Sequence, residues 1–238
     1  MSVSSLINQE IIYELAIETT KIMLAKQNEL QNISWTEGEA NLDTEYSKLA
    51  CCSCVVAWNK LKIKNPHFKE IQIECCEPDI NITFTYPDKK TTPHKIELKS
   101  SKSNKMPGST IKKLDINQPL IYCLRPTNIT DPYQIKCSQY HYAMGESDTD
   151  LFQDRTPRPI LNFKKMADLD NTLPFMIKDK DAWIEHYANC GVTRIKDTTD
   201  CQKSWQDDMI KIMQKKFIEE YIRNTSVEEF TRNKEVFT

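Results

Sequence analysis

Two short stretches of this chain hold residue types that can do chemistry together: Pro78-Asp79, and Glu97-Leu98-Lys99 further along. Between them, Ile80, Ile82, Phe84 and Tyr86 alternate with Asn81, Thr83 and Thr85, the period-two pattern of a half-buried strand. Pro87-Asp88-Lys89-Lys90 supplies a turn and Pro93 closes the loop. A second strand follows, with Ile96 and Leu98 apolar and Glu97 and Lys99 polar. Folding this hairpin returns Asp79 to the side of Glu97 and Lys99. Residues two apart on a strand share a face, so Glu97 and Lys99 point the same way. Two carboxylates and an ammonium then converge at one end of a sheet.

That set can hold a divalent metal beside a water and a phosphate. Hydrolysis of a phosphodiester needs a polarised phosphoryl oxygen, an activated water and relief of charge on the leaving oxygen. Magnesium takes oxygen ligands and needs only one or two protein carboxylates. Asp79 and Glu97 are the candidate ligands, and Lys99 is the candidate to orient water or offset charge on the phosphate. The Asp88-Lys89-Lys90 stretch repeats the same residue types, but it falls in the turn and is set aside.

Helices must precede this hairpin. Apolar positions at Leu6, Ile7, Ile11, Leu15, Ile22 and Met23 predict a helix from about Ser5 to Leu30. A second helix is expected from about Gly38 to Lys62, with an apolar stripe of Leu42, Leu49, Cys52 and Val56. Glu45 falls in that stripe, where an acid needs a partner or a metal, so it is a third carboxylate for a second metal or an outer water. Further strands are expected at 71–75, 120–124 and 133–137, a helical turn near 110–114, and a loop over 147–159. Helices should cover Asp179–Asn189, ending before Gly191, and Ser204–Arg223. The order of helices, mixed sheet and helices predicts an α/β or α+β fold. It is read as one domain over 1–238: an N-terminal helix in 1–33, a core in 34–145 and a helical part in 146–238.

A hydrophobic content of 39% and a charged content of 28% describe an ordinary soluble globular chain. The longest apolar run is too short to cross a bilayer, and no basic-then-apolar leader is visible at the N-terminus, so a cytoplasmic protein without a membrane partner is expected. Nine cysteines, an odd count, suit reduced thiols. Cys51 and Cys54 have zinc-like spacing but lie in an apolar helix, where buried thiols are ordinary core residues. His67, His94, His141 and His186 form no ligand pair at helical spacing. No phosphate-binding glycine loop appears among four glycines, which excludes a nucleotide cofactor. Net charge is −2, yet Lys95 to Lys113 holds six lysines and one acid, a local basic patch suited to a phosphate backbone.

With Pro78-Asp79, Glu97-Leu98-Lys99 and the upstream acid Glu45, the chain resembles the PD-(D/E)xK nuclease superfamily, the fold of many type II restriction endonucleases. The resemblance covers roughly 35–137. It implies a restriction-endonuclease-like core, magnesium held by Asp79, Glu97 and the Leu98 position, and Lys99 assisting the attacking water. Glu37 or Glu39 can replace Glu45 as the upstream acid. A type II restriction endonuclease acting on double-stranded DNA as a homodimer is the expected function. Lys102, Lys105, Lys112 and Lys113 are then candidates for phosphate contacts, and Arg155 and Arg158 for base contacts. Gln118 and Tyr122 match the spacing of a RecB-like signature, but the strand-like residues 120–124 sit badly with the helix that branch places there. The match is treated as chance, with a RecB-like exonuclease or repair nuclease kept as an alternative. A catalytically inactive DNA-binding protein is the non-enzyme alternative.

Overall fold

The computed structural model describes residues 3–33, 44–66, 70–76, 79–86, 91–110, 114–128, 130–144, 158–167, 176–199, 204–226 and 229. Pro78, Glu37, Glu39, Lys112, Lys113, Arg155 and most of the turn expected near 110–114 lie outside them. The chain divides into two compact units, Met1–Trp183 and Ile184–Thr238.

In the first unit, helices α1 (Val3–Leu24), α2 (Gln27–Gln31) and α3 (Thr44–Leu61) precede strands β1 (Glu70–Cys76), β2 (Asp79–Thr85) and β3 (Thr91–Ser101). Then come β4 (Lys105–Pro107), β5 (Pro119–Leu124), β6 (Gln134–Gln139), the short α4 (Tyr140–Ala143) and β7 (Ile160–Asn162). The main sheet runs β1-β2-β3-β5-β6, and β4 pairs with β7 in a second small sheet. Only β3 and β5 are parallel; the other neighbours are antiparallel. The fold is α+β, with a mainly antiparallel central sheet.

Strand alternation gives this sheet two different faces. Ile80, Ile82, Phe84, Ile96 and Leu98 point to one side and pack with Ile11, Ile12, Leu15, Tyr46, Ala50 and Ala57 of α1 and α3. On the other side Leu120 and Tyr122 pack with Tyr140, Leu161, Phe163 and Met166. Tyr122 meets the Phe163 ring edge-on at 5.3 Å between centroids.

The helices depart from the sequence reading in three places. The first expected helix is broken between α1 and α2, where Lys26 N–H turns back to the Met23 carbonyl at 3.0 Å. The buried face of α3 is Tyr46, Ala50, Cys54, Ala57 and Leu61, whereas Glu45, Cys52 and Val56 are exposed. Of the stripe expected to contain Glu45, Leu49 is buried, Glu45, Cys52 and Val56 face outward, and Leu42 lies outside the described residues. The two stripes are offset by one residue, a rotation of about 100°, and small apolar residues populate both. Finally, Gly191 does not stop the later helix: α5 runs Lys180–Thr199. A single glycine is tolerated within a helix at a cost of about 1 kcal/mol.

In the second unit, α6 (Ser204–Asn224) leaves the side chains of Ile212, Phe217, Ile218 and Ile222 exposed. Among the described residues, no helix is long and apolar enough to cross a membrane.

Candidate active site

The site lies where β3 changes neighbours. β2 pairs with β3 from Thr85–Thr91 down to Ile80–Ile96, and β2 begins at Asp79. β5 takes over alongside β3 at Glu97, paired with Leu120. Asp79 stands one step beyond the Ile80–Ile96 pair, which brings it opposite Glu97. The Leu98 N–H has run out of β2 backbone to bond, and Asp79 Oδ1 accepts from it at 3.1 Å. The carboxylate thus continues the ladder that the strand leaves unfinished.

Lys95, Glu97 and Lys99 share one face of β3 by the two-residue period. Lys95 Nζ bridges the two acids, 2.6 Å from Asp79 Oδ2 and 2.8 Å from Glu97 Oε2. Lys99 Nζ lies 2.5 Å from Glu97 Oε1. The Ser109 hydroxyl also donates to Glu97 Oε1, at 2.6 Å, and Gln118 Nε2 donates to Oε2 at 3.2 Å. Four donors therefore use the acceptor capacity of one buried carboxylate. Behind Ser109, the hydroxyl of Tyr140 accepts from the Ser109 N–H at 2.6 Å.

Electrostatics separate the two acids. Burial opposes ionisation of Glu97, but the ammoniums of Lys99 and Lys95 outweigh it and pull the carboxyl down to about 2. Asp79 goes the other way: burial, and then the negative charge of Glu97, push its carboxyl up, with Lys95 and the Leu98 N–H offsetting part of the rise. Burial disfavours the charged form of Lys95, yet Glu97 and Asp79 more than compensate and hold it protonated. Burial and the nearby Glu97 raise the Tyr140 phenol.

Whether the site suits magnesium can be judged from Lys95. One ammonium reaches both carboxylates, so their oxygens converge on a single cation-sized position. Hard carboxylate oxygens in that arrangement match the small ligand demand of magnesium. The residues fit. Among the described residues, no group of three or more His, Cys, Asp or Glu gathers to hold a metal, so the acidic set at the site is the pair Asp79 and Glu97.

The structure brings together Asp79, Glu97 and Lys99. The Leu98 side chain is buried in the helix-facing core, which leaves only its main chain toward the site. Glu45 is exposed in the first turn of α3. Lys102 and Lys105 are exposed in the segment just after the β3 pairing with β5, and Arg158 is half-buried before β7. Lys95, Ser109 and Tyr140 join the site without a motif to mark them in the sequence. Gln118 was noticed only through a spacing read as chance, and the structure gives it a direct bond to Glu97. Pro119–Leu124 is the strand expected there, and the Tyr122 hydroxyl donates to the Ser103 carbonyl at 2.7 Å.

No protein-family model matches the chain, and no curated protein matches it.

Proposed function

We propose that this chain is a magnesium-dependent endodeoxyribonuclease with a restriction-endonuclease-like core, acting in the cytoplasm as a type II restriction endonuclease on double-stranded DNA. One observation carries the reading: Asp79 and Glu97 converge on a single cation position, with Lys99 in contact with Glu97. A magnesium ion bound there supplies Lewis-acid polarisation of the phosphoryl oxygen and acidification of a water.

The protein groups have separate tasks. Asp79 and Glu97 hold the cation, and Asp79 is itself fixed by the Leu98 N–H. Ser109 and Gln118 fix the Glu97 carboxylate from both of its oxygens. Lys99 orients the attacking water and donates to the phosphate oxygen as charge builds on it. Lys102 and Lys105, exposed nearby, take flanking phosphates and position the strand without reading it. Each chain carries one such site, so cutting both strands of a duplex calls for a two-fold homodimer.

The test is incubation of the purified chain with plasmid and phage DNA, with magnesium or with EDTA, beside Asp79→Ala. Discrete magnesium-dependent fragments absent from the variant are expected. No cleavage of any nucleic acid with any divalent metal would defeat the proposal and leave a DNA-binding protein.

The Gln118 bond to Glu97 favours a second reading, a RecB-like exonuclease. Closed circular DNA separates the two: an endonuclease opens it, whereas an end-dependent enzyme degrades only the linear form.

A further inference from the structure

A polar cavity lies beside Lys95 and Gln118 and has no task in the chemistry above. The first half of β3 has β2 on one side only, because β5 does not join until Glu97. A notch of about 440 Å³ opens there, lined by residues of α1, β1, β2, β3 and the segment leading into β5. That volume lies within the range of small-molecule sites, roughly 300–1,000 Å³. Lys95 and Gln118, which both bond Glu97, also line it, so the notch reaches two of the side chains that hold the Glu97 carboxylate.

Two atoms in its wall are unused. Gln9 Oε1 and His94 Nε2 are shielded from solvent and have no hydrogen-bond partner among the described residues. Buried polar atoms of this kind call for a ligand or a bound water. At the rim, Glu74 and Asp115 are exposed carboxylates, which repel a phosphate or any other anion. Asp115 spends Oδ1 on the Asn117 N–H at 3.0 Å and keeps its other oxygen. Ile12 and Pro119 add buried apolar surface. Burial keeps the His94 ring toward its neutral form, with Asp115 opposing in part. The notch is thus acceptor-rich and partly apolar, with the Lys95 ammonium on the side toward Glu97 and two carboxylates at its rim.

We propose that this notch takes one nucleobase of the bound strand, and that it favours a base with an exocyclic amino group (cytosine, adenine or guanine) over thymine. The inference rests on the nuclease reading, since the strand delivers the base. Gln9 Oε1 and the Asp115 carboxylate accept from the amino group, and His94 Nε2 meets a ring nitrogen. The backbone phosphate stays outside, toward Lys99.

The test follows the His94 ring resonances of the full chain in EDTA, so that nothing is cut. Deoxycytidine, deoxyadenosine, deoxyguanosine, thymidine and deoxyribose 5-phosphate are added in turn. A saturable movement of the His94 signal with the amino-bearing nucleosides, and not with thymidine or the sugar phosphate, is expected. Gln9→Met should reduce that preference about tenfold, within the usual range for one base contact. Asp115→Asn, at an exposed position, gives the same reading where Gln9→Met fails to fold. Oligodeoxycytidine should bind more tightly than deoxycytidine. An unmoved His94 signal, an equal response to thymidine, or equal affinity for nucleoside and strand overturns the proposal. Cleavage is measured separately. A chain that cuts DNA without the His94 response keeps the nuclease reading and loses the base site. One that responds without cutting does the reverse.

Discussion

Asp79 and Glu97 share one ammonium, that of Lys95, at 2.6 Å and 2.8 Å. Neither acid could lose it without cost, since each is drawn out of water where β2 begins beside the central strand β3. The same geometry that marks a cation position also fills it with a side chain.

A divalent ion entering between the two carboxylates must therefore displace Lys95. Lys95→Met keeps the length of the chain and removes the competitor. Its affinity for manganese, measured by calorimetry on the full chain, should rise about tenfold or more, which is 1.4 kcal/mol or more. Asp79→Asn should abolish the same binding. Equal affinity in Lys95→Met and the parent chain would mean that ammonium and metal do not compete.

Lys99 touches Glu97 from the side away from Asp79, at 2.5 Å from Oε1. Its proposed work is on the water and the phosphate. Lys99→Ala should reduce the single-turnover cleavage rate by about 10²–10⁴, the usual loss for a positioned proton-handling group. DNA binding in EDTA should change little. A variant that loses binding and keeps its rate once bound would move Lys99 to the phosphate-contact class with Lys102 and Lys105.

Local pattern reached part of this site. The alternation from Ile80 to Tyr86 and the pair Glu97 and Lys99 follow from strand period alone, because the hairpin is a contact between near neighbours in sequence. The same two-residue rule places Lys95 on the Glu97 face as well. Gln118 and Ser109 were beyond its reach. Gln118 arrives because β5 pairs parallel to β3 with Leu120 opposite Glu97, a register fixed by packing of the whole sheet. Ser109 arrives because β4 pairs with β7, a strand of only three residues that leaves little periodic trace. For α3 the error was rotational: both Leu49 and Ala50 are buried, and only the true neighbours of the helix decide which flank of that line faces the sheet.

The acid side of the stability profile should belong to Glu97. Its carboxyl falls from an ordinary 4.5 to about 2 in the folded chain. The stabilisation is therefore complete above pH 4.5 and disappears as pH falls toward 2. It is on the order of 3 kcal/mol. Asp79 is shifted upward and has the opposite sign, with its contribution present at low pH and lost as pH rises through its folded value. Urea midpoints taken between pH 7 and pH 2.5 should fall steeply in the parent chain. In Glu97→Gln the curve should be flatter over the same interval and lower at pH 7, because Lys95 and Lys99 both lose the Glu97 charge while Asp79 stays beside Lys95. An unchanged acid slope in Glu97→Gln would assign that titration elsewhere.

Gly108 should couple to Glu97 through two intervening groups. Its N–H donates to the Pro159 carbonyl at 2.8 Å, which fixes the backbone where β4 ends. A Cβ added there would run into the hydroxyl of Tyr140, with the Pro159 carbonyl at 3.1 Å and Leu161 Cγ at 3.3 Å. Tyr140 is fully buried, so its ring has no open space to swing into. Its hydroxyl accepts from the Ser109 N–H at 2.6 Å, and the Ser109 hydroxyl donates to Glu97 Oε1 at 2.6 Å. Gly108→Ala must then shift either the tyrosine or the strand, and both movements disturb Ser109. A loss of about 1–3 kcal/mol in stability is expected, the usual range for overpacking. Cleavage should fall even at temperatures where the variant is fully folded. Adding Tyr140→Phe removes the obstructing oxygen and should recover much of the stability, so that the two substitutions are strongly non-additive. Strict additivity in that cycle would show that the methyl group is accommodated elsewhere, and that Tyr140 does not transmit the change at Gly108 to Glu97.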